Sequence, residues 1–330
     1  MNLPSDGPDR AETEPSPAPE PEADLALSGA RLAVFGPALA ALTGLDAAEL
    51  LAVLQHHDEP FAKRLAAATL LSLLGDPRFR AFEPDLVDIP GGPTTIGLAA
   101  ARVKEVTEAW AHAGVERDWI AKEVPAHRVE LAPYRIGRYP VTNAEYLQFV
   151  RACPQAERPS AWPHGTFPWA AANHPVYTVA PASADAYAAW VAAETGRPIR
   201  LPTEAEWEHA ATGGDGRAFP WGERWDPERA NTAELGPLCA TPVGLYPTGR
   251  SPFGVWDLAG NVEEYVAEDY RPYPGGELIS DDLTEIHGVS YRIARGGSFA
   301  RHGDLARCQR RHGWYPSIWY AMGFRLAESR

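Results

Sequence analysis

The sequence predicts a mixed α+β domain rich in irregular loop, preceded by a small helical unit. Three observations carry this expectation. Apolar residues recur at helical spacing between residues 25 and 80. Short apolar runs bounded by Pro and Gly follow, with Thr-capped helical segments among them. Beyond Gly213 the helix signals fade, and Pro, Gly, Trp and Tyr separate short apolar pieces. Long aromatic loops of this kind tend to carry function in a compact domain.

Length and composition set the bounds. A chain of 330 residues buries a substantial core and accommodates one large domain with an appendage. Forty-four acidic against 30 basic residues give a net charge of −14, which disfavours a nucleic-acid partner. No run of about 18 apolar residues occurs, so no membrane span is expected. The N-terminus lacks the basic start and apolar stretch of a secretion signal. The three cysteines, Cys153, Cys239 and Cys308, lie far apart and build no disulfide framework, which fits a reducing compartment. A cytoplasmic or phage-associated location is therefore expected. Only three lysines stand against 27 arginines, a bias that fits either a thermostable protein or a GC-rich genome.

Taken in order, residues 1–24 hold six prolines, seven acids and one Arg without an aromatic, and are expected to be a disordered acidic tail. Residues 25–80 read as two or three helices. Phe35, Leu39, Leu42 and Leu45 share one face, as do Leu50, Val53 and Leu54, and then Phe61, Leu65, Thr69 and Leu73. Gly44, Gly75 and Pro77 mark the stops. His56, His57 and Asp58 are adjacent and share no helix face, so they read as a solvated helix end.

Residues 84–330 form the main domain. Leu86–Ile89 reads as a short strand ending in a Pro-Gly-Gly turn, and residues 99–122 as a helical insertion with Val103, Val106, Trp110 and Ala113 inward. Val129, Leu131, Tyr134 and Ile136 suggest a strand. Thr142 with Glu145, and Thr203 with Glu206, have the spacing of capping boxes, with Tyr146, Phe149 and Trp207 as buried partners. A third capped helix is expected from Ser183 to Thr195, ended by Gly196.

Six segments in order then resemble the formylglycine-generating-enzyme-like (sulfatase-modifying factor) family. They are Ile89-Pro90-Gly91-Gly92, Tyr139-Pro140-Val141-Thr142-Asn143-Ala144-Glu145-Tyr146 and Arg200-Leu201-Pro202-Thr203-Glu204-Ala205-Glu206-Trp207-Glu208 in the first part. Phe253 to Glu264, Arg295-Gly296-Gly297-Ser298 and Gly323-Phe324-Arg325-Leu326 complete the set. The resemblance covers residues 86–327 and implies a C-type lectin fold variant. It also implies a structural calcium site on Asp257, Glu264 and the carbonyls of Gly260 and Val262, an oxygen-only set that suits this hard cation.

Family members that oxidise a substrate cysteine use copper and two cysteines shortly after the RGGS motif, because thiolate sulfur selects Cu(I). The matching positions here are Arg301 and Ala306. Neither holds copper, so no copper is expected. Cys308 lies two residues beyond the second position, flanked by Arg307, Arg310 and Arg311, and reads either as a small packed residue or as a thiol activated by positive charge. Relatives of this fold that carry iron use histidine triads, and no His-x-His or His-x-x-x-His pair occurs here. P-loop, GxSxG and dinucleotide-binding signatures are also missing.

Residues 299–322 look built for binding. Trp314, Tyr315, Ile318, Trp319 and Tyr320 crowd about Pro316, with Arg301, His302, Arg311 and His312 nearby. Trp, Tyr and Arg are the residues that dominate interface energetics. Framed by RGGS before and GFR after, the segment resembles the variable region of diversity-generating-retroelement variable proteins. Those bind diverse ligands through a C-type-lectin-fold face. The resemblance carries over Phe299, Arg301, His302, Gln309, Arg311, His312, Trp314, Tyr315, Ser317, Trp319 and Tyr320 as ligand-binding candidates.

Three functions remain in play at this point. The first is a non-catalytic protein that binds a macromolecular ligand, such as a protein, through its C-terminal face. The second is a divergent oxidase or peptide-modifying enzyme. The third is a sensor or scaffold module in which residues 25–80 dock onto a larger assembly.

Overall fold

In the computed structural model, residues 34–288, 290–314 and 320–330 are described. The disorder expected for residues 1–24 lies outside them, as does the start of the helical unit. Helices α1 (Phe35–Leu42), α2 (Ala47–Gln55) and α3 (Phe61–Leu74) pack through Leu42, Leu50, Leu54, Ala66 and Leu71. Asp46 caps α2 in a full capping box with Glu49, a signal that the apolar spacing alone does not pick out. Leu245 and Tyr246 of the main domain join the same apolar cluster. Arg64 Nε donates to the Leu245 carbonyl at 3.2 Å, and Asn173 Nδ2 donates to the Ala68 carbonyl at 2.9 Å.

The main domain starts with β1 (Leu86–Ile89) and β2 (Gly92–Ile96). The expected helical insertion breaks into short pieces, α4 (Val103–Ala109) and α5 (Arg117–Ala121), because Gly114 turns left-handed between them. The single strand suggested for residues 129–136 is two, β3 (His127–Leu131) and β4 (Tyr134–Gly137), which belong to different sheets. Pro133 lies between them, where a continuing ladder would lose a donor.

α6 (Asn143–Ala152) and α8 (Glu204–Thr212) carry the two predicted capping boxes. Between them, α7 (Pro181–Thr195) starts two residues before the expected Ser183 cap, with Pro181 at its first turn. The Ser183 hydroxyl instead donates to Glu157. A short β5 (Ile199–Arg200) lies before α8. After it come β6 (Glu263–Asp269), α9 (Asp282–His287), β7 (Arg292–Arg295), β8 (His312–Gly313), β9 (Met322–Phe324) and β10 (Ala327–Ser329).

One antiparallel sheet runs β1-β4-β10-β5, and a second runs β8-β7-β6-β9, with β6 and β9 parallel. β2 and β3 form a separate antiparallel pair. The observed architecture is thus mixed α+β with long loops, as expected from the sequence. Two apolar centres are the largest of those that support it. One gathers Tyr146, Phe149, Tyr187 and Phe324 under α6 and α7, and the other surrounds Trp207 on α8.

Glu145 gives this frame a pH signature. Its Oε2 accepts from the Thr142 N–H and hydroxyl at 2.8 and 2.7 Å. Burial nevertheless pushes its carboxyl up to about 7, the Thr142 donors only partly opposing it. A folded-state value above the unfolded one means the folded state holds the proton more tightly. The stability this contributes is complete below about 4.5 and lost as pH rises through about 7. Burial holds His174 at about 4, which acts in the opposite direction, so wild type is compared with Glu145→Gln, in which His174 cancels. The expected result is that the stability difference, wild type minus variant, falls by about 1 kcal/mol between pH 6 and 8. Urea denaturation at both pH values checks it, and a constant difference would remove Glu145 as the cause.

Candidate functional site

The RGGS segment builds the floor of the C-terminal region. Gly296 and Gly297 have φ of 96° and 68°. A Cβ on Gly296 would stand 3.1 Å from the Trp207 ring, and one on Gly297 would stand 2.9 Å from the Ala306 nitrogen. Only glycine fits both the conformation and the close approach. Just before them, the buried Arg295 reaches Glu204 Oε1 at 2.6 Å and Glu208 Oε2 at 2.5 Å.

From this floor the chain continues through residues 299–314. Phe299 meets Tyr177 edge-on, with ring centroids 5.6 Å apart. The Arg301 guanidinium stacks 4.4 Å over the Tyr320 ring. His312 lies nearly parallel to Tyr320 at 5.8 Å, and its Nδ1 is 2.6 Å from Glu263 Oε2. His302 lies 3.7 Å from Glu234. Trp314 packs beside His287 at 5.2 Å, and its carbonyl meets His287 Nε2 at 2.7 Å. Arg301, His302, His312 and Tyr320 thus converge on one cavity of about 170 Å³.

Two candidates do not join them. Gln309 is 3% exposed, and its amide donates to the carbonyls of Gly216 and Arg217 at 2.9 Å each. Arg311 is 2% exposed and grips Glu204 with Nε at 2.8 Å and Nη2 at 3.0 Å, its guanidinium 3.9 Å over Tyr273. Both expected ligand contacts are therefore corrected to interior fixtures, since their polar atoms are already satisfied inside the fold. Tyr315, Ser317 and Trp319 lie outside the described residues.

The cavity also contains groups that the sequence reading missed. Lys122 is buried and pairs with Asp281, while its Nζ lies 3.1 Å from the Tyr291 hydroxyl. Burial and the nearby Arg310 lower its ammonium to about 8, against the pull of Asp281. Asp304 and Arg310 complete the wall, and burial raises the Asp304 carboxyl despite Arg310 and Arg307 nearby. A usable signal existed: Lys122 is one of only three lysines in a chain with 27 arginines. The resulting wall mixes positive, negative and aromatic groups, which suits a polar, charged partner surface.

The thiol reading is settled by the same geometry. Cys308 is fully buried, and desolvation raises its pKa far above that of an ordinary thiol. Burial outweighs the pull of the nearby Arg307, and the flanking arginines are engaged with other partners. Arg307 forms a two-pronged pair with Glu123 at 2.9 and 2.7 Å, and Arg311 is committed to Glu204. Cys153 is partly buried and Cys239 exposed, and all three cysteines are free. The activated-thiol alternative is therefore corrected to a packed residue.

The calcium expectation meets an obstacle at Glu264. Both of its oxygens are occupied, Oε1 by Arg325 Nη2 at 2.6 Å and Oε2 by Arg325 Nε at 2.5 Å and Trp207 Nε1 at 2.7 Å. Asp257 accepts from the Gly244 N–H at 2.7 Å, and burial raises its carboxyl to about 6. Gly260 and Val262 are buried beside them. Glu264 is thus an ion-pair partner and does not fit as a ligand. Among the described residues, no group of three or more His, Cys, Asp or Glu side chains is arranged to hold a metal ion. No helix among them is long and apolar enough to cross a membrane.

Comparison with known proteins adds to this geometry. The model of the sulfatase-modifying factor enzyme 1-like domain matches residues 75–330. The chain is 33% identical over 265 residues to hercynine oxygenase of Mycolicibacterium smegmatis, covering 69% of this chain and 57% of that protein. It spans about half the length of the hercynine oxygenases it matches. It is 30% identical over 319 residues to the inactive C-alpha-formylglycine-generating enzyme 2 of Mus musculus, covering 80% of this chain and 93% of that protein. Among solved structures, PvdO from Pseudomonas aeruginosa superposes with a TM-score of 0.58 at 26% identity, covering 76% of this chain and 97% of that one. Treponema denticola variable protein 1 superposes with a TM-score of 0.52 at 19% identity, covering 74% and 94%, a likeness of fold alone. The fold is the C-type-lectin-like one that the sequence motifs imply.

Proposed function

Because the chain belongs to the family of sulfatase-modifying factor enzyme 1-like domains, yet carries Arg301 and Ala306 at the two thiol positions of its copper-using members, we propose that it is a non-catalytic ligand-binding member. Its C-terminal face, framed by Arg295 and Arg325, takes a macromolecular ligand through Phe299, Arg301, His302, His312, Trp314 and Tyr320. The carrying observation is the Arg301–Tyr320 stack at 4.4 Å on the rim of the 170 Å³ cavity. A guanidinium held flat on a ring keeps its donors directed outward at low entropy cost, as hot-spot residues do. The alignment along 80% of the chain with a relative named as inactive supports the same reading. The fold shared with a variable protein supports a diversified segment at residues 299–322.

The test has two arms. Affinity capture with the wild-type protein is expected to enrich a protein that Arg301→Glu and Tyr320→Ala both lose, at unchanged melting temperature. Retention of every captured protein by both variants would sink the proposed face. Genome sequence around the coding region is expected to show a template repeat matching residues 295–327 beside a reverse transcriptase, and absence of both would remove the diversification part.

A catalytic reading draws on the identities of 33% to a hercynine oxygenase and 33% to the formylglycine-generating enzyme of Streptomyces coelicolor. Elemental analysis of the purified protein separates the two readings. The binding reading expects copper and iron well below one equivalent, and stoichiometric copper or iron that survives dialysis would overturn it.

A further inference from the structure

A second concave site lies away from the C-terminal face. The end of α2 and the loops around residues 217–221 and 247–252 enclose a groove of about 570 Å³. The charged side chains lining it are Arg217, Arg229 and Arg250, with the His57 imidazole beside them, and no carboxylate is among the described lining residues. In a chain with a net charge of −14, such a wall is a local reversal of sign.

Two of the guanidiniums already hold carboxylates, and Arg217 has both Nε and Nη2 on Asp215. Arg217 Nε bonds Asp215 at 2.9 Å, and Arg229 Nε bonds Asp226 at 2.8 Å. These acids fix orientation and neutralise two of the charges. Arg250 is exposed and has no ion-pair partner among the described residues. The groove therefore keeps one uncompensated guanidinium beside two oriented ones. Trp221 and Trp256 supply flat apolar surface on the same lining. Trp221 itself lies stacked on Phe219, with centroids 5.5 Å apart and planes 11° apart, so its ring is fixed.

We propose that this groove binds an organic phosphate of nucleotide size. Its phosphate groups lie against Arg217, Arg229 and Arg250, and its planar ring lies against Trp221. The planar fork of Arg250, which holds no carboxylate among the described residues, matches two phosphate oxygens at once, while Arg217 and Arg229 add positive charge beside it. The volume accommodates both a ring and its phosphates, and the indole offers the ring a stacking partner. The site is independent of the proposed C-terminal ligand face.

Calorimetric titration of the full chain with ADP, pyrophosphate and adenosine as separate probes tests this. ADP is expected to bind best. The double variant Arg229→Ala/Arg250→Ala is expected to weaken ADP at least tenfold, with binding falling as salt is raised. Trp221→Leu is expected to weaken ADP several-fold and leave pyrophosphate unchanged. Arg301→Glu, at the other face, is expected to bind ADP like wild type. Melting temperatures of all variants establish that they remain folded. Absence of ADP binding at millimolar concentration, or binding untouched by the double substitution, would overturn the site. Equal affinity for pyrophosphate and ADP would overturn the ring contact.

Discussion

Replacing Arg325 by methionine is expected to lower folding stability by about 3–5 kcal/mol, among the largest effects of any single change outside the apolar centres. Arg325 and Glu264 are both 0% exposed. Beyond its two-pronged grip on Glu264, Arg325 donates to the carbonyls of Gly137 and Trp256 at 2.8 and 2.9 Å. Methionine fills similar space and donates to none of them. Glu264 is then left as a buried charge with only the Trp207 indole N–H, and two carbonyls lose their donor. The attraction between the two ions is not the quantity removed. Most of the loss comes from the group left behind. The double variant Arg325→Met/Glu264→Gln is therefore expected to recover much of it, and denaturant titration of the three proteins reads this directly. A single-variant loss below about 1 kcal/mol would show that water reaches Glu264 and that the pair is not sealed.

Glu204→Gln is expected to cost a similar amount, about 3–5 kcal/mol, and to act at a distance on the C-terminal face. Glu204 is the counter-charge for two buried arginines, Arg295 at 2.6 Å and Arg311 at 2.8 Å. Burial alone would raise its carboxyl, but Arg311 and Arg295 outweigh that and hold it below the usual glutamate range. A folded-state value below the unfolded one gives stability that is present at neutral pH and lost as pH falls through the folded value. The difference between wild type and variant is thus expected to shrink on acidification. Hydrogen exchange over residues 295–311 is expected to quicken in the variant, because Arg295 and Arg311 tie both sides of that stretch to α8. Unchanged exchange there, with a loss confined to global unfolding, would disprove the local coupling.

Local chemistry was legible in the sequence and long-range pairing was not. The capping boxes at Thr142 and Thr203 and the strand at Leu86–Ile89 stand where spacing placed them, since each depends on residues within four positions. The RGGS glycines are equally readable, because a close approach demands them whatever the partner is. Gln309 and Arg311 were misread for the opposite reason. A charged residue beside aromatics suggests a surface, and the feature that buries Arg311 is Glu204, more than a hundred positions earlier in the chain. β6 hid behind the same difficulty. Glu263 and Glu264 interrupt its apolar pattern, although both are buried and matched by His312 and Arg325. The cavity wall from Lys122, Asp281 and Asp304 comes from three separated segments, and nothing local announces their meeting.

The stretch between Arg295 and Arg325 is secured at both ends by sealed guanidinium–carboxylate clasps. Its inner contacts, at Arg307, Gln309 and Arg311, are spoken for by the scaffold, whereas Arg301, His302, His312 and Tyr320 line the cavity. If the proposed ligand face is right, the two clasps anchor the chain on either side of it and take no part in the contact itself.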